Sequence, residues 1–512
     1  MRSEGSGGRL AAATMAVLVA VTTTPLAGAA QTAAYLDFDD LTRELRSVVD
    51  GSDLASMRSL GISHEGREIW VVEIADSGPP AEERPGVLVV GNLSGDHLLG
   101  SSLALEAVRY LTGGDAELGD RVVYVVPRLN PDGAEAMFGG VLSARRGNGL
   151  PFDDDNDGRV DEDPAEDLNG DGVITVMRAR DPFGPYMVSP EDDRLMQEAD
   201  AAKGENGAYT LYWEGRDSDG DGFINEDGPG GVDLDRSFQH AYPYWERDAG
   251  PHMVSEPEAR ALMDFMVAHR NIGAILTFGH SDNLVTPPDA RGNLADASVL
   301  DLTAFADASN EDVFDVGVFG AQQSFRGGFR GGGGGGGIQL RGAQRGRDND
   351  PNSGRRPSTT VHSEDQEYFK AISDAYREIT GISEVGINRE AQGAFFQYGY
   401  YQFGVPSFST QGWSLPPAGA EAEGDEDRPD RRGGNGGAAA GTDAKVLSAL
   451  EGAGIEAFAA WEPYQHPDLG EVEIGGFLPF AVTNPPAEDL PELGRMHGEF
   501  VARLAGMLPS VR

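Results

Sequence analysis

Segment 87–111 constrains the fold most, because an apolar run, a polar turn and an amphipathic helix follow one another directly. Val87–Val90 has the composition of a buried strand, and the helix after the turn has apolar residues at helical spacing. In open α/β sheets, side chains that follow a strand in this way lie at the carboxyl edge, where ligands bind. Ser94, Asp96 and His97 occupy the turn and are therefore candidate site residues.

This segment resembles the zinc carboxypeptidases, the carboxypeptidase A-like metallopeptidases. In that family the turn usually reads GN-x-HGDE-x-x-G, and its histidine and glutamate bind zinc. The corresponding residues here read SGDH, which places Ser94 and His97 at the two ligand positions. The resemblance therefore implies the family's framework with altered zinc ligands.

Further motifs occur in the order that the family has, and the resemblance covers roughly Leu60–Gly412. They are a Glu-Gly-Arg hairpin, a buried strand followed by NPDG, the sequence GVDLDRSF, a strand that ends before His280, and a segment that ends at Gln411. By this resemblance His280 stands at the third zinc-ligand position. Gln411 stands where the family has its general-base glutamate.

Two arginines are candidate substrate-binding residues. Asp235 and Arg236 correspond to the family's Asn-Arg pair, which holds the terminal carboxylate of the substrate. A guanidinium can bind a carboxylate through two parallel hydrogen bonds, so Arg236 suits that role. An aspartate at 235 would repel the substrate or pair with Arg236. Arg146 lies near the position of the family's other active-site arginine, and the alternative for either arginine is a surface salt bridge.

Metal-assisted peptide hydrolysis requires three protein ligands, an open position for water and a general base. A serine is a poor zinc ligand because its hydroxyl must lose a proton of very high pKa. His97 and His280 could still bind zinc with Asp96 as a third ligand, although Asp96 follows a glycine and could point away. An amide at Gln411 cannot accept a proton, and loss of a general base typically removes about 10²–10⁴ of the rate.

Three aspartate-rich loops lie within residues 153–228. Each has carboxylate or amide oxygens at alternate positions followed by glycine, as in the first half of a calcium-binding loop. None has a glutamate at the twelfth position, so the loops differ from EF-hands, and the alternative is an acidic solvated loop. We predict structural calcium held by the following residues: Asp153, Asp155, Asp157, Asp167, Asn169, Asp171, Asp217, Asp219 and Asp221.

The resemblance implies an α/β fold with a mixed, mostly parallel central sheet and helices on both faces. Residues 444–512 are predicted as a helix to about residue 460, a strand over 472–480 and a closing helix, at one edge of this sheet. The predicted organisation is a signal peptide (1–30), a carboxypeptidase-like domain (31–415) with a calcium-type insertion (153–228) and a Gly/Arg-rich insertion (326–357), a linker (416–443) and a packed C-terminal extension (444–512).

Residues 1–30 have a basic start, an apolar core and a small-residue cleavage site, which predicts export to the periplasm or the exterior. The alternative is a single membrane span, but the apolar core is short for one. The formal net charge of −44 disfavours nucleic acid and anionic membranes as partners and attracts divalent cations. The sequence contains no cysteine, so its stability must come from a large core or bound metals.

Two functional hypotheses follow. The first is an exported, catalytically impaired or inactive member of the family that binds the C-termini of peptides or of peptidoglycan through Arg236. The second is an active metallocarboxypeptidase whose zinc site is rebuilt from Asp96, His97 and His280. A third, a calcium-stabilised scaffold without a ligand, explains only the aspartate-rich loops.

Overall fold

The computed structural model describes residue 32 and residues 34–509, except residues 115, 144, 152–157, 161–162, 219, 221, 223, 226–230, 245, 290–359, 385–390 and 415–438. Several predicted features lie outside the described residues. They are the signal peptide (1–30), the Gly/Arg-rich insertion (326–357), most of the linker (416–443), and the calcium candidates Asp153, Asp155, Asp157, Asp219 and Asp221. Among the described residues, no helix combines the length and the apolar character needed to cross a membrane.

The strands are β1 (Ala55–Ile62), β2 (Glu68–Ala75), β3 (Gly86–Gly91), β4 (Val122–Val126), β5 (Val176–Arg180), β6 (Tyr186–Val188), β7 (Met196–Glu198), β8 (Tyr209–Trp213), β9 (Ile272–Phe278), β10 (Ser407–Thr410), β11 (Phe458–His466) and β12 (Gly470–Phe477). The α-helices are α1 (Phe38–Asp50), α2 (Leu98–Thr112), α3 (Pro131–Ala136), α4 (Pro257–Ala268), α5 (Gln366–Thr380), α6 (Phe395–Tyr398), α7 (Ala439–Gly452) and α8 (Leu490–Met507). A π-helical turn, Gly399–Phe403, continues α6.

The main sheet has six strands in the order β1-β2-β4-β3-β9-β10. Strands β4, β3, β9 and β10 run parallel, whereas β1 and β2 form an antiparallel hairpin at one edge. All residues of β3 and β4 are buried, which explains their continuous apolar runs. The predicted mixed, mostly parallel sheet is confirmed.

Helices cover both faces of the main sheet, as predicted. Val87 and Val89 of β3 pack into the core that contains α2, α5 and α8. Leu88 and Val90 point to the opposite face and pack into the core that contains α4 and α6. Alternate residues of one strand therefore anchor two separate helix layers, because successive side chains of a strand point to opposite faces.

A second sheet, absent from the sequence prediction, has the strand order β11-β12-β5-β8-β6-β7 and is antiparallel throughout. Its strands come from the segment predicted as calcium loops and from the C-terminal extension. The predicted helix to residue 460 is therefore wrong in its second half, since β11 begins at Phe458 and pairs with β12. The extension also joins this second sheet and not the main one.

Helix α8 fastens the extension to the main domain by packing against α2 and α5. Two glycines of α8 allow a close approach to α2. A Cβ on Gly498 would lie 2.6 Å from Cβ of Tyr110, and a Cβ on Gly494 would lie 2.4 Å from Cγ of Glu106. Any larger residue there would force the two helices apart.

Candidate functional site

The candidate site lies at the carboxyl ends of β3, β9 and β10, which are neighbours in the main sheet. The turn after β3 carries Ser94, Asp96 and His97, while His280 follows β9 and Gln411 follows β10. Because the three strands are parallel, their ends meet at one edge. The fold thus brings together side chains that are more than 300 residues apart in the sequence.

The β3–α2 turn is held by Asn92, which has a left-handed backbone (φ 53°). Its side-chain amide donates hydrogen bonds to the carbonyl oxygens of Ser94, Gly95 and His97 at 3.0–3.3 Å. A Cβ at Gly95 would lie 2.6 Å from the carbonyl carbon of Gly133 in the NPDG sequence. The NPDG motif therefore serves as a platform against which this turn packs.

Ser94 is engaged with an acid. Its hydroxyl donates a 2.6 Å hydrogen bond to Oδ1 of Asp233, and both residues are buried. The same Asp233 oxygen accepts from the backbone N–H of Asp235 at 3.1 Å. Asp233 thus aligns Ser94 with the turn that contains Asp235 and Arg236, and sequence reasoning did not single it out.

Asp96 lies at the centre of the polar network. His280 Nε2 donates to Asp96 Oδ1 at 2.7 Å, and Arg146 Nε contacts Asp96 Oδ2 at 3.3 Å. The side-chain amide of Asn484 donates to the Asp96 carbonyl at 2.8 Å, and its oxygen accepts from Leu99 N–H at 2.9 Å. Asn484 belongs to the C-terminal extension, so the extension takes part in building the site.

His97 and Gln411 complete the network. His97 Nε2 donates to the Gln411 carbonyl oxygen at 3.2 Å, and the Gln411 side-chain amide donates to the His280 carbonyl at 3.0 Å. The rings of His97 and His280 meet edge to face, with centroids 5.1 Å apart. The residue at the family's base position thus acts as a structural link between two strand ends.

The two candidate arginines have different surroundings. Arg236 forms ion pairs with Glu246 and with Asp248, the latter at 3.2 Å from Nε. Burial raises the pKa of Asp248, and the nearby Arg236 and Arg146 partly oppose that rise. Asp235 accepts a 3.0 Å hydrogen bond from the backbone N–H of Phe395.

Arg146 is the more accessible of the two, since 42% of its side chain is exposed, against 27% for Arg236. Within the described part of the chain, its only ion pair is the Nε contact with Asp96. Arg146 is therefore the candidate arginine with fewer ionic partners and the larger exposed fraction.

The residues at the three zinc-ligand positions do not fit the zinc geometry of the family. Ser94 is a hydroxyl bonded to a carboxylate, and, among the described residues, the ligand atoms of Asp96, His97 and His280 do not form a group within 4.8 Å of one another. Zinc ligand atoms must converge to about 2.0–2.2 Å from one point. In the described residues, only His64, Glu256 and Glu258 form a group of three whose ligand atoms lie within 4.8 Å of one another, close enough to hold a metal ion.

The group of His64, Glu256 and Glu258 belongs to the β1–β2 turn and the start of α4, not to the strand ends. The N-cap of α4 is Glu256, and the Ser255 hydroxyl donates a 2.6 Å hydrogen bond to the Glu256 carboxylate. Asn148 directs its amide N–H groups at both glutamates, at 2.8 and 3.1 Å. A donor aimed at both carboxylates opposes a cation there, and burial raises the pKa of Glu258.

The second aspartate-rich loop is described in full. The Asp167 carboxylate accepts hydrogen bonds from the backbone N–H groups of Gly170, Asp171 and Gly172 at 2.7–3.1 Å. Asn169 donates to the Asp171 carboxylate at 3.0 Å. In the third loop, Asp217 likewise accepts from Gly220 and Gly222. These contacts account for the loop shape, and calcium binding stays a prediction.

Comparison with known proteins agrees with the motifs. The model of the zinc carboxypeptidase family matches residues 42–171 and 189–413, which is more than half of the chain. The chain therefore belongs to the zinc carboxypeptidase family.

The similarity to individual relatives is more limited. A zinc carboxypeptidase of Saccharothrix mutabilis is 28% identical over 109 residues, 20% of this chain and 25% of that protein. Human carboxypeptidase D is 36% identical over 93 residues, 16% of this chain and 7% of that protein. The structure of Helicoverpa armigera carboxypeptidase A aligns with 48% of this chain and 47% of its own, at 17% identity and a TM-score of 0.30. The chain thus matches a quarter or less of the length of these two curated relatives.

Proposed function

We propose that this protein is an exported member of the family that binds the C-termini of peptides without the family's usual hydrolysis. The main support for this proposal is that the residues at the family's zinc-ligand and general-base positions form hydrogen bonds within the protein. Ser94 is bonded to Asp233, His280 to Asp96, and His97 to the backbone of Gln411. Such contacts hold a pocket in shape but supply neither converging ligands nor a proton acceptor at residue 411.

Arg146 is the cation that we assign to the peptide carboxylate. Arg236, which the sequence favoured, is paired with Glu246 and Asp248, so a ligand carboxylate would have to compete with two acids. Arg146 contacts only Asp96 among its described ionic neighbours and is better exposed. The only hydrogen bond of Arg146 to Asp96 is through Nε, and a guanidinium can bind a carboxylate through two parallel hydrogen bonds.

The test compares a peptide acid with its C-terminal amide by isothermal titration calorimetry, using residues 31–512. We expect the acid to bind and the amide to bind at least about tenfold more weakly, since a charge-assisted hydrogen bond contributes roughly 1.5–3 kcal/mol. Arg146→Gln should abolish that preference. Arg503→Gln, which alters an exposed arginine of α8, is the matched control. Equal affinity for acid and amide would refute the assignment.

Catalysis is tested on the same peptides by mass spectrometry, with and without added zinc. We expect no release of the C-terminal residue. A peptidoglycan stem peptide belongs in the panel because the sequence of residues 1–30 predicts a signal peptide, and an exported protein would meet peptidoglycan.

A second candidate is an active metallocarboxypeptidase with a rebuilt metal site. The observation that favours it is the proximity of His97, His280 and Asp96, with the two rings 5.1 Å apart and Asp96 2.7 Å from His280. Metal-dependent release of C-terminal residues that disappears in His280→Ala would establish this candidate and overturn the first. Release that persists in His280→Ala would exclude the rebuilt site as its source.

A further inference from the structure

The two faces of the second sheet differ in character. Met177, Ala179, Val472 and Ile474 project from one face and form a small core of their own. The residues that alternate with them, and the residues paired with those across the sheet, project from the other face, because successive side chains of a strand point in opposite directions. We call this second set the arginine face, and it consists of Arg178, Arg180, Tyr209, Gln465, Glu471 and Glu473.

A cavity of about 440 Å³ opens on the arginine face and is within the size range of ligand pockets. Its lining contains every member of the arginine face except Tyr209, together with Pro463, Tyr464 and Val472. All eight lining residues lie outside the segments that match the family model. The cavity is therefore a feature that this chain has in addition to the family's strand-end site.

The charges of the lining balance one another. Two arginines and two glutamates line the cavity, although the whole chain has a formal net charge of −44. Arg178 Nε pairs with Glu473 Oε2 at 2.9 Å. Within the described part of the chain, Arg180 and Glu471 take part in no ion pair, and both residues are exposed. A highly charged ligand of either sign would meet a like charge here, so the lining favours an uncharged polar ligand.

Stacking contacts hold part of the arginine face in place. The Arg178 guanidinium carbon lies 4.3 Å from the Trp461 ring centroid and 5.6 Å from the Tyr209 ring centroid. Arg180 stacks over the same Tyr209 ring at 5.6 Å. Trp461 is fixed in turn, since its indole N–H donates to the Arg194 carbonyl at 2.7 Å. Groups that are ordered before binding lose little conformational entropy when a ligand binds, which favours affinity.

The polar groups of the lining match hydroxyl groups. A guanidinium only donates hydrogen bonds, a carboxylate only accepts them, and the Gln465 amide does both. A sugar hydroxyl can donate and accept, so neighbouring hydroxyls of one sugar ring can satisfy all three kinds of group. Pro463 and Tyr464 add apolar surface against which the C–H groups of the ring can pack.

From this arrangement we propose that the cavity on the arginine face binds an uncharged carbohydrate chain. The guanidinium of Arg180 and the amide of Gln465 donate to its hydroxyl groups, and the carboxylate of Glu471 accepts from them. This inference does not depend on peptide binding at the strand ends. It assigns a role to the second sheet that the family's framework does not supply.

The experiment measures the affinity of residues 31–512 for cellotetraose, chitotetraose, maltotetraose and xylotetraose by isothermal titration calorimetry. We expect at least one of them to bind, and a tetramer of galacturonic acid to bind more weakly, because each of its sugars carries a carboxylate. Arg180→Gln should weaken binding about tenfold or more, and Gln465→Ala about two- to tenfold, from the hydrogen bonds removed. Both residues are exposed, so circular dichroism should not change. Arg503→Gln, at an exposed position of α8, is the matched control.

Three results would overturn the proposal. The first is that none of the four uncharged tetrasaccharides binds, and the second is that the galacturonic acid tetramer binds most tightly, which would indicate an anion site. The third is an affinity that neither variant changes, which would place the sugar elsewhere. A peptide acid should not displace the bound saccharide. Displacement would assign the sugar to the strand-end site and would also overturn the proposal, whereas failure of peptide binding alone would leave it intact.

Discussion

Asn484 joins the C-terminal extension to the candidate site, and its removal should be costly. The residue is fully buried, donates to the Asp96 carbonyl at 2.8 Å and accepts from Leu99 N–H at 2.9 Å. In Asn484→Ala, both backbone groups lose their hydrogen bond to this side chain. A buried polar group without a partner costs about 1–3 kcal/mol, so the two together should lower the free energy of unfolding by about 2–6 kcal/mol.

The assay is urea unfolding followed by circular dichroism and tryptophan fluorescence. Asn484→Asp should also destabilise the protein, because a buried carboxylate at this position would be desolvated and would face the Asp96 carbonyl oxygen that now accepts from the amide. Gln465→Ala, at an exposed position of β11, is the control and should change stability by less than about 0.5 kcal/mol. A loss below about 1 kcal/mol in Asn484→Ala would refute the view that this amide fastens the extension to the site.

Two further predictions concern pH and calcium. Burial lowers the pKa of His497 from 6.5 to about 4, and its Nε2 accepts from the Tyr376 hydroxyl at 3.0 Å. Below pH 6.5 the imidazole of residue 497 takes up a proton in the unfolded chain but not in the folded protein, so the free energy of unfolding should fall by up to about 3 kcal/mol between pH 6.5 and 4. Denaturation measured across this pH range should show a smaller fall for His497→Gln. The same fall in the variant and in the unaltered protein would contradict the prediction. If the aspartate-rich loops bind calcium, then adding calcium to the chelator-treated protein should raise its melting temperature in a concentration-dependent way. Asp167→Asn should weaken that rise. No rise at millimolar calcium would refute the calcium prediction.

Local signals in the sequence were sufficient to predict the strand–turn–helix unit and to bring the candidate residues to one edge of the sheet. The apolar runs of β3 and β4 and the helical spacing in α2 appear where they were predicted. Ser94, His97, His280 and Gln411 meet at one sheet edge because each directly follows a parallel strand. Such placement depends on short-range pattern and ordered motifs, which a single sequence contains.

The partners of these residues were not predictable in the same way. Asp233 binds Ser94 across 139 residues, and Asn484 reaches Asp96 across 388. Arg236 forms ion pairs with Glu246 and Asp248, whereas the sequence suggested only Asp235 as an acid that could pair with it. No periodicity or motif in the sequence predicts a contact over such separations, because the contact depends on how whole helices and strands pack.

The second sheet shows the same limit. Its strands β6 and β7 have three residues each and lie among turns, so their apolar pattern is too short to predict a strand from the sequence. Strand β11 follows α7 closely, and its first residues were predicted as part of that helix. Its pairing with β12 shows that they form a strand.

The sequence by itself determined the family, the mixed parallel sheet and the edge at which Ser94, His97 and His280 lie, since local apolar pattern and motif order encode them. Only the tertiary structure decided that Arg236 pairs with Glu246 and Asp248, that Arg146 is the more exposed of the two arginines, and that Arg146 lines a cavity together with aromatic side chains of the second sheet. The physical reason is that the availability of a charge and the shape of a cavity depend on side chains brought together from distant segments.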